Sequence, residues 1–153
     1  MQSGAESHAA LLQAFGLSVT AFLVIVSCHL IAMHGAARLA KMRHAVTDLQ
    51  SLPFHRTVVF ILLVMTVLFS LHLLTNLAWA LVIWGAGVLP GYRESIFFSL
   101  ENYTSLGLTR VNVPDHWRML APMISLSGVF CLGWSTAMLI TLFSHFYSVT
   151  PDK

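Results

Sequence analysis

Three long apolar segments constrain this chain more than any other feature of its sequence. They run over residues 11–33, 57–88 and 119–147, and each reaches the roughly 20 residues with which a helix crosses the hydrocarbon of a bilayer. Only 9% of the 153 residues are charged, whereas a soluble domain carries roughly a quarter. The sequence therefore predicts an all-α membrane protein with three transmembrane helices and leaves no room for a soluble enzyme domain.

The distribution of basic residues predicts the orientation of these helices. Lys and Arg concentrate in the linker between the first two apolar segments and at the C-terminus, and fewer lie between the second and third. By the positive-inside rule, the linker and the C-terminus are cytoplasmic and the N-terminus is outside. The N-terminus lacks the basic region of a cleaved signal peptide, so residues 1–34 are expected to remain as a first helix. The basic residues on the predicted cytoplasmic side are Arg38, Lys41, Arg43, Arg56 and Lys153, and those on the other side are Arg93, Arg110 and Arg118.

Residues 35–56 form the basic linker, for which two interpretations stand side by side. Leu39, Met42, Val46 and Leu49 recur at helical spacing, which suits a short helix on the membrane surface. An ordinary basic loop fits the same residues. In both interpretations Pro53 ends the linker structure before the second span. Because membrane topology accounts for the net charge of +2, a nucleic-acid partner is not expected.

The connection between the second and third apolar segments has a helical pattern of its own. Ile96, Phe97, Leu100 and Tyr103 are apolar positions on a helix too short to span a bilayer. A polar stretch follows, and the chain must then return to the side that it left. Such a re-entrant backbone is tolerated at membrane depth only where protein buries it or where it lines a water-filled cavity. The sequence therefore predicts an oligomer around a central pathway.

The ordered residues of this region resemble the pore module of tetrameric potassium channels, most closely the small bacterial two-transmembrane type. Phe97, Phe98, Ser99 and Glu101 match the aromatic pair, serine and glutamate of that family's pore helix, and TSLGLTR follows where the family has TTVGYGD. Trp117 also has a counterpart, and the inner-helix glycines of the family match two glycines of the third span. The resemblance covers about 57–146 and leaves out the first span and the linker.

The resemblance implies a fold and a set of site residues. It divides 57–147 into an outer helix (57–88), a pore helix (92–104), a filter (105–110) and an inner helix (119–147). It implies a homotetramer in a bacterial plasma membrane, which conducts monovalent cations such as K⁺ passively and needs no other cofactor. The residues implied for the filter and ion pathway are Thr104, Ser105, Leu106, Gly107, Leu108 and Thr109. Those implied for the hinge and cavity of the inner helix are Gly128, Gly133, Thr136 and Ile140.

The outer half of the predicted filter departs from the family pattern. Gly107 keeps the first position that needs a positive φ, but Thr109 replaces the second glycine. Leu108 replaces an aromatic residue that braces the family's filter, and Arg110 replaces an acidic one. Four arginines at the mouth oppose cation entry unless they are neutralised. We therefore expect an ion pair between Glu101 and Arg110 behind the filter, and K⁺ selectivity stays open.

Two other functions remain open at this stage, and neither is enzymatic because no catalytic constellation is present. One is a non-conducting channel homologue with a structural or partner-binding role. The other is a metal- or haem-binding membrane protein, since five histidines lie in or beside the spans, although none is four residues from another His or Cys. Hydrogen bonding between helices is the expected histidine role, above all for His72 with Thr75 or Asn76. The cysteines, Cys28 and Cys131, are expected to be buried and unpaired. The five histidines are His29, His34, His55, His72 and His145.

Overall fold

The computed structural model describes residues 2–44, 53–108 and 111–147. These residues form four α-helices, α1 (Gln2–His44), α2 (Phe54–Gly85), α3 (Tyr92–Tyr103) and α4 (Leu120–Tyr147), with one 3-10 turn at Asp115–Trp117. The part of the chain that is described contains no strand. Three segments, His8–Arg38, His55–Gly85 and Asp115–Thr141, are long and apolar enough to cross a membrane. The predicted all-helical architecture with three candidate spans is confirmed.

The helix boundaries lie close to the predicted ones, with one informative difference. Because α1 continues without a break to His44, the first part of the expected linker belongs to the same helix as the first span. Of the residues that suggested a surface helix, Leu39 and Met42 lie in this continuation of α1, whereas Val46 and Leu49 lie outside the described residues. Pro53 is the N-cap of α2, with extended dihedrals. This agrees with its predicted place as a boundary, since proline fits the start of a helix but not its interior.

Pairs of contacting residues give the directions of the three long helices. Ala14 of α1 lines the same groove as Ala86 and Trp117, which lie after the end of α2 and before the start of α4. Further along α1, His29 contacts Thr75 of α2. α1 therefore runs antiparallel to α2 and parallel to α4.

A stripe of mostly small residues explains how α1 packs. Its buried positions include Ala14, Ser18, Ala21 and Ile25, which recur at intervals of three and four residues and so share one helix face. Small residues let two helices approach closely. Exposed leucines such as Leu17 and Leu23 lie between them. Among the α1 residues whose side chains are described, the buried ones lie on this face.

The core lies where α3 meets α2 and α4. Trp79 and Ile83 of α2 pack in one cluster with Phe98 of α3 and Ile124 of α4. The indole N–H of Trp79 donates to the hydroxyl of Ser127 at 2.8 Å, so its polar group is satisfied inside the bundle. The short helix α3, 12 residues long, is thus held between two long ones.

Candidate functional site

Side chains from all four helices meet around His72. Nδ1 of His72 is 2.8 Å from the hydroxyl of Tyr103 on α3, and Nε2 is 3.0 Å from the hydroxyl of Ser135 on α4. The His29 ring of α1 lies against it, with the ring centroids 5.0 Å apart. We call this group the histidine cluster. Its members are His29, Met33, His72, Thr75, Tyr103, Cys131 and Ser135.

The hydroxyl groups of the cluster assign the protons on both imidazoles. Ser135 donates its hydrogen to the sulfur of Met33 at 3.5 Å, so its oxygen accepts from Nε2–H of His72. Nδ1 of His72 then accepts the hydrogen of the Tyr103 hydroxyl, because a neutral imidazole carries one donor and one acceptor. The thiol of Cys131 on α4 lies in the same buried cluster as Tyr103. Both ring nitrogens of His72 therefore have a hydrogen-bond partner.

His29 is bonded on one nitrogen only. Thr75 donates its hydroxyl hydrogen to the carbonyl of Leu71 at 2.8 Å, so its oxygen accepts Nδ1–H of His29, also at 2.8 Å. Nε2 of His29 has no hydrogen-bond partner, although the side chain is only 4% exposed. The cluster thus contains one buried base with a free lone pair.

Buried polar contacts hold α3 against the long helices. Ser99 donates to Asn76 of α2, at 2.9 Å from its carbonyl oxygen and 2.5 Å from its side-chain oxygen. Ser125 of α4 donates to the carbonyl of Asn102 at 2.9 Å. In an apolar bundle these bonds satisfy groups that water cannot reach, so they fix the position of α3.

Gly128 allows the C-terminal end of α3 to lie directly on α4. A Cβ at position 128 would lie 1.9 Å from the carbonyl oxygen of Tyr103, whereas a Cβ at Gly133 would meet nothing within 4 Å. Gly128 therefore serves a close backbone approach, which only glycine permits. The resemblance assigns this residue a hinge role, and the contact supplies a separate reason for a glycine here.

The chain leaves α3 through a Schellman motif. The amide of Ser105 donates to the carbonyl of Asn102 at 2.9 Å, and the amide of Leu106 donates to that of Glu101 at 2.8 Å. Ser105 adopts φ 58°, the left-handed conformation at which such motifs end a helix. Gly107 has φ 61°, the sign expected from its match to the first filter glycine.

The predicted filter lies partly within the described residues. Thr104, Ser105, Leu106, Gly107 and Leu108 follow α3 directly and are all exposed. Thr109 and Arg110 lie outside the described residues, and so does the expected pair between Glu101 and Arg110. Glu101 itself is half-buried at the end of α3.

Three of the four residues predicted for the hinge and cavity share one face of α4. Gly133, Thr136 and Ile140 are exposed in the single chain, and their spacing of three and four residues places them on the same side of the helix. The hydroxyl of Thr136 donates to the carbonyl of Leu132 in its own helix. Gly128 is buried on another side, against α3, so the structure does not bring all four residues together.

The remaining histidines and the cysteines differ in their surroundings. His34 and His55 are exposed, and the side chain of His145 lies outside the described residues. Cys131 is buried, as predicted, but Cys28 is exposed on α1, and both are unpaired. Within the described ranges no three His, Cys, Asp or Glu residues lie close enough to hold a metal ion.

Sequence reasoning identified the histidines individually but missed the cluster. It predicted Thr75 or Asn76 as the partner of His72, whereas His72 bonds to Tyr103 and Ser135, and Thr75 bonds to His29. The small-residue stripe of α1 gave a usable signal, because it continues at the same spacing to His29 and Met33 and so places both on the packed face.

Comparisons with known proteins return no relative. No family model, no curated protein and no solved structure matches this chain.

Proposed function

We propose that this chain is a subunit of a potassium-channel-like ion channel that passes monovalent cations passively across a membrane. In this proposal α2 is the outer helix, α3 the re-entrant pore helix and α4 the inner helix of a homotetramer. α1 is an additional helix packed on the outside of each subunit. The N-terminus is outside, and the C-terminus is in the cytoplasm of a bacterial cell.

The position of the C-terminal end of α3 is the observation that carries the proposal. Tyr103, the last residue of α3, bonds to His72 and contacts Gly128, which lie near the middle of the candidate spans His55–Gly85 and Asp115–Thr141. The chain then returns to Asp115–Trp117, directly before α4. A helix that stops at mid-span and a chain that goes back fit a re-entrant segment.

The exposed residues after α3 support an oligomer. Thr104 to Leu108 follow directly on Tyr103, which contacts His72 of α2 and Gly128 of α4, yet they are exposed in the single chain. At membrane depth such backbone requires burial in protein or a water-filled cavity. Four copies around an axis would provide both, with the exposed face of α4 that carries Gly133, Thr136 and Ile140 lining the pathway.

Electrostatics favours a cation at this place. The C-terminal end of a helix carries a partial negative charge, and α3 ends immediately before Thr104. Oxygen atoms of the backbone and of the Ser105 hydroxyl are suitable ligands for a dehydrated cation. The left-handed dihedral of Gly107 is compatible with the alternation that turns successive carbonyls toward one axis.

Ion flux in liposomes tests the proposal. Purified protein is reconstituted, and K⁺, Na⁺ and Cl⁻ gradients are imposed in turn. The native chain is compared with a Thr109→Gly, Arg110→Asp double variant and with Arg93→Asp, which makes the same charge reversal at the exposed start of α3. We expect cation flux from the native chain, increased K⁺ selectivity in the double variant and no change from Arg93→Asp.

Two outcomes would overturn this proposal. A silent native protein together with a conducting double variant would mean that the native chain is a non-conducting homologue. Chloride flux without cation flux would mean that the ring of Arg110 selects anions.

A further inference from the structure

Nε2 of His29 is a buried base that the proposed conduction pathway does not use. It belongs to α1, which lies outside the channel-like part of the chain. The residue is only 4% exposed, and its Nε2 has no hydrogen-bond partner within the described residues. Every other ring nitrogen of the histidine cluster has a partner.

A proton added to the cluster therefore goes to Nε2 of His29. Protonation of His72 at Nδ1 would require Tyr103 to give up its hydrogen bond, whereas protonation of His29 breaks no existing bond. The new N–H would have no acceptor, and the new charge would lie in an apolar bundle. Both of these cost free energy, because a buried charge needs a partner and hydrogen bonds.

The groups that face His29 offer no compensating charge. His72 from α2 lies against its ring. Tyr103 from α3 bonds to His72, and Cys131 from α4 lies in the same buried cluster as Tyr103. Its own helix contributes Met33, and none of the cluster's side chains is a carboxylate. The positive charge can be relieved only if His29 leaves the cluster, and since it is fixed to α1, that requires movement of α1.

We infer that the contact between His29 and His72 is proton-sensitive and releases α1 from α2 and α4 when the pH falls. The docked helix holds His29 neutral, so docking is strongest at neutral and alkaline pH. It weakens as the pH falls below about 6.5, near which an accessible histidine takes up its proton. One proton changes the ratio of released to docked chains by at most about tenfold per pH unit. This inference does not depend on ion conduction.

Distances between two spin labels on one chain test the inference. One label is attached to the native exposed Cys28 of α1 and the other to a Leu63→Cys site, which is 60% exposed on α2. Cys131 is replaced by alanine so that no third thiol reacts. Labelled chains are diluted with unlabelled chains in lipid nanodiscs, so that only distances within one chain are measured.

We expect one short distance at pH 7.5 and a growing population of longer distances down to pH 5.5. His29→Asn keeps a donor for Thr75 but takes up no proton, so its distances should not change with pH. His72→Gln serves as the matched control and should retain the pH response. The inference is overturned if the distances of the otherwise native chain are the same at both pH values. It is also overturned if His29→Asn retains the response, whatever His72→Gln does, or if His72→Gln loses it.

Discussion

At the scale of single residues, His72 is the residue whose hydrogen bonds connect three helices. The sequence correctly predicted this kind of role but named partners on its own helix face. Thr75 and Asn76 are one turn away from His72 on α2, yet the Thr75 hydroxyl donates to Leu71 and Asn76 accepts from Ser99. The histidine therefore turns to other helices. Local spacing cannot reveal such partners, because they depend on how α3 and α4 pack.

Replacing His72 by phenylalanine should destabilise the fold moderately. The change removes the acceptor of Tyr103 and the donor of Ser135 and keeps an aromatic ring of similar size. Hydrogen bonds between membrane helices contribute about 0.6 kcal/mol each and at most about 1.7, so we expect a loss of about 1 to 2 kcal/mol in the free energy of unfolding. Denaturant titration of the protein in mixed micelles measures it.

Ser70→Ala is the control for this substitution. Ser70 is exposed on the same helix, and its hydroxyl bonds to the carbonyl of Thr66 in that helix. It should change stability by less than about 0.5 kcal/mol, as surface substitutions usually do. Equal losses in the two variants would show that the bonds of His72 contribute nothing specific.

At the scale of elements, α3 is the part of the structure that depends most on tertiary contacts. Its existence and bounds, Tyr92–Tyr103, follow the predicted pore helix closely, because the apolar spacing is clear and glycine and proline precede it. Its position could not be derived from periodicity. That position depends on Ser99 reaching Asn76, Ser125 reaching Asn102, and Gly128 admitting the backbone of Tyr103.

Gly128→Ala should displace the C-terminal end of α3, and Gly133→Ala should not. The added Cβ at 128 meets a backbone carbonyl, which cannot rotate away, whereas position 133 is open. Overpacking of this kind typically costs about 1 to 3 kcal/mol, and alanine by itself favours the helix at both sites. Unfolding of both variants under the same conditions measures the difference. If the two alanines had the same effect, the close approach of α3 to α4 would be refuted.

At the scale of the whole molecule, the sequence predicted more of the architecture than of its assembly. The three candidate spans follow from apolar segments whose length is set by the bilayer, so they could be read directly. The way in which α1 joins the other helices was not predicted. The stripe of small residues marks its packed face, but the partners that meet this face, such as Thr75 for His29, depend on tertiary packing. The pathway around an axis of four chains remains a proposal, and it rests on the return of the chain after α3.

The most direct test of that return is to determine from which side of the membrane a cysteine at position 108 can be modified. Leu108→Cys is prepared with Cys28→Ala and Cys131→Ala, and a membrane-impermeant thiol reagent is added outside liposomes. His116→Cys, in the same connection, and His55→Cys, at the start of α2, are labelled in parallel as references for the two sides; both positions are exposed.

Chains insert into liposomes in two orientations, and the outside reagent reaches one side of each chain. The proposal predicts that Leu108→Cys reacts in the same fraction of chains as His116→Cys, and that His55→Cys reacts in the remaining fraction. It also predicts that cation flux falls in proportion to the modified fraction. Reaction in the same fraction of chains as His55→Cys, or complete modification with unchanged flux, would contradict a re-entrant pore segment.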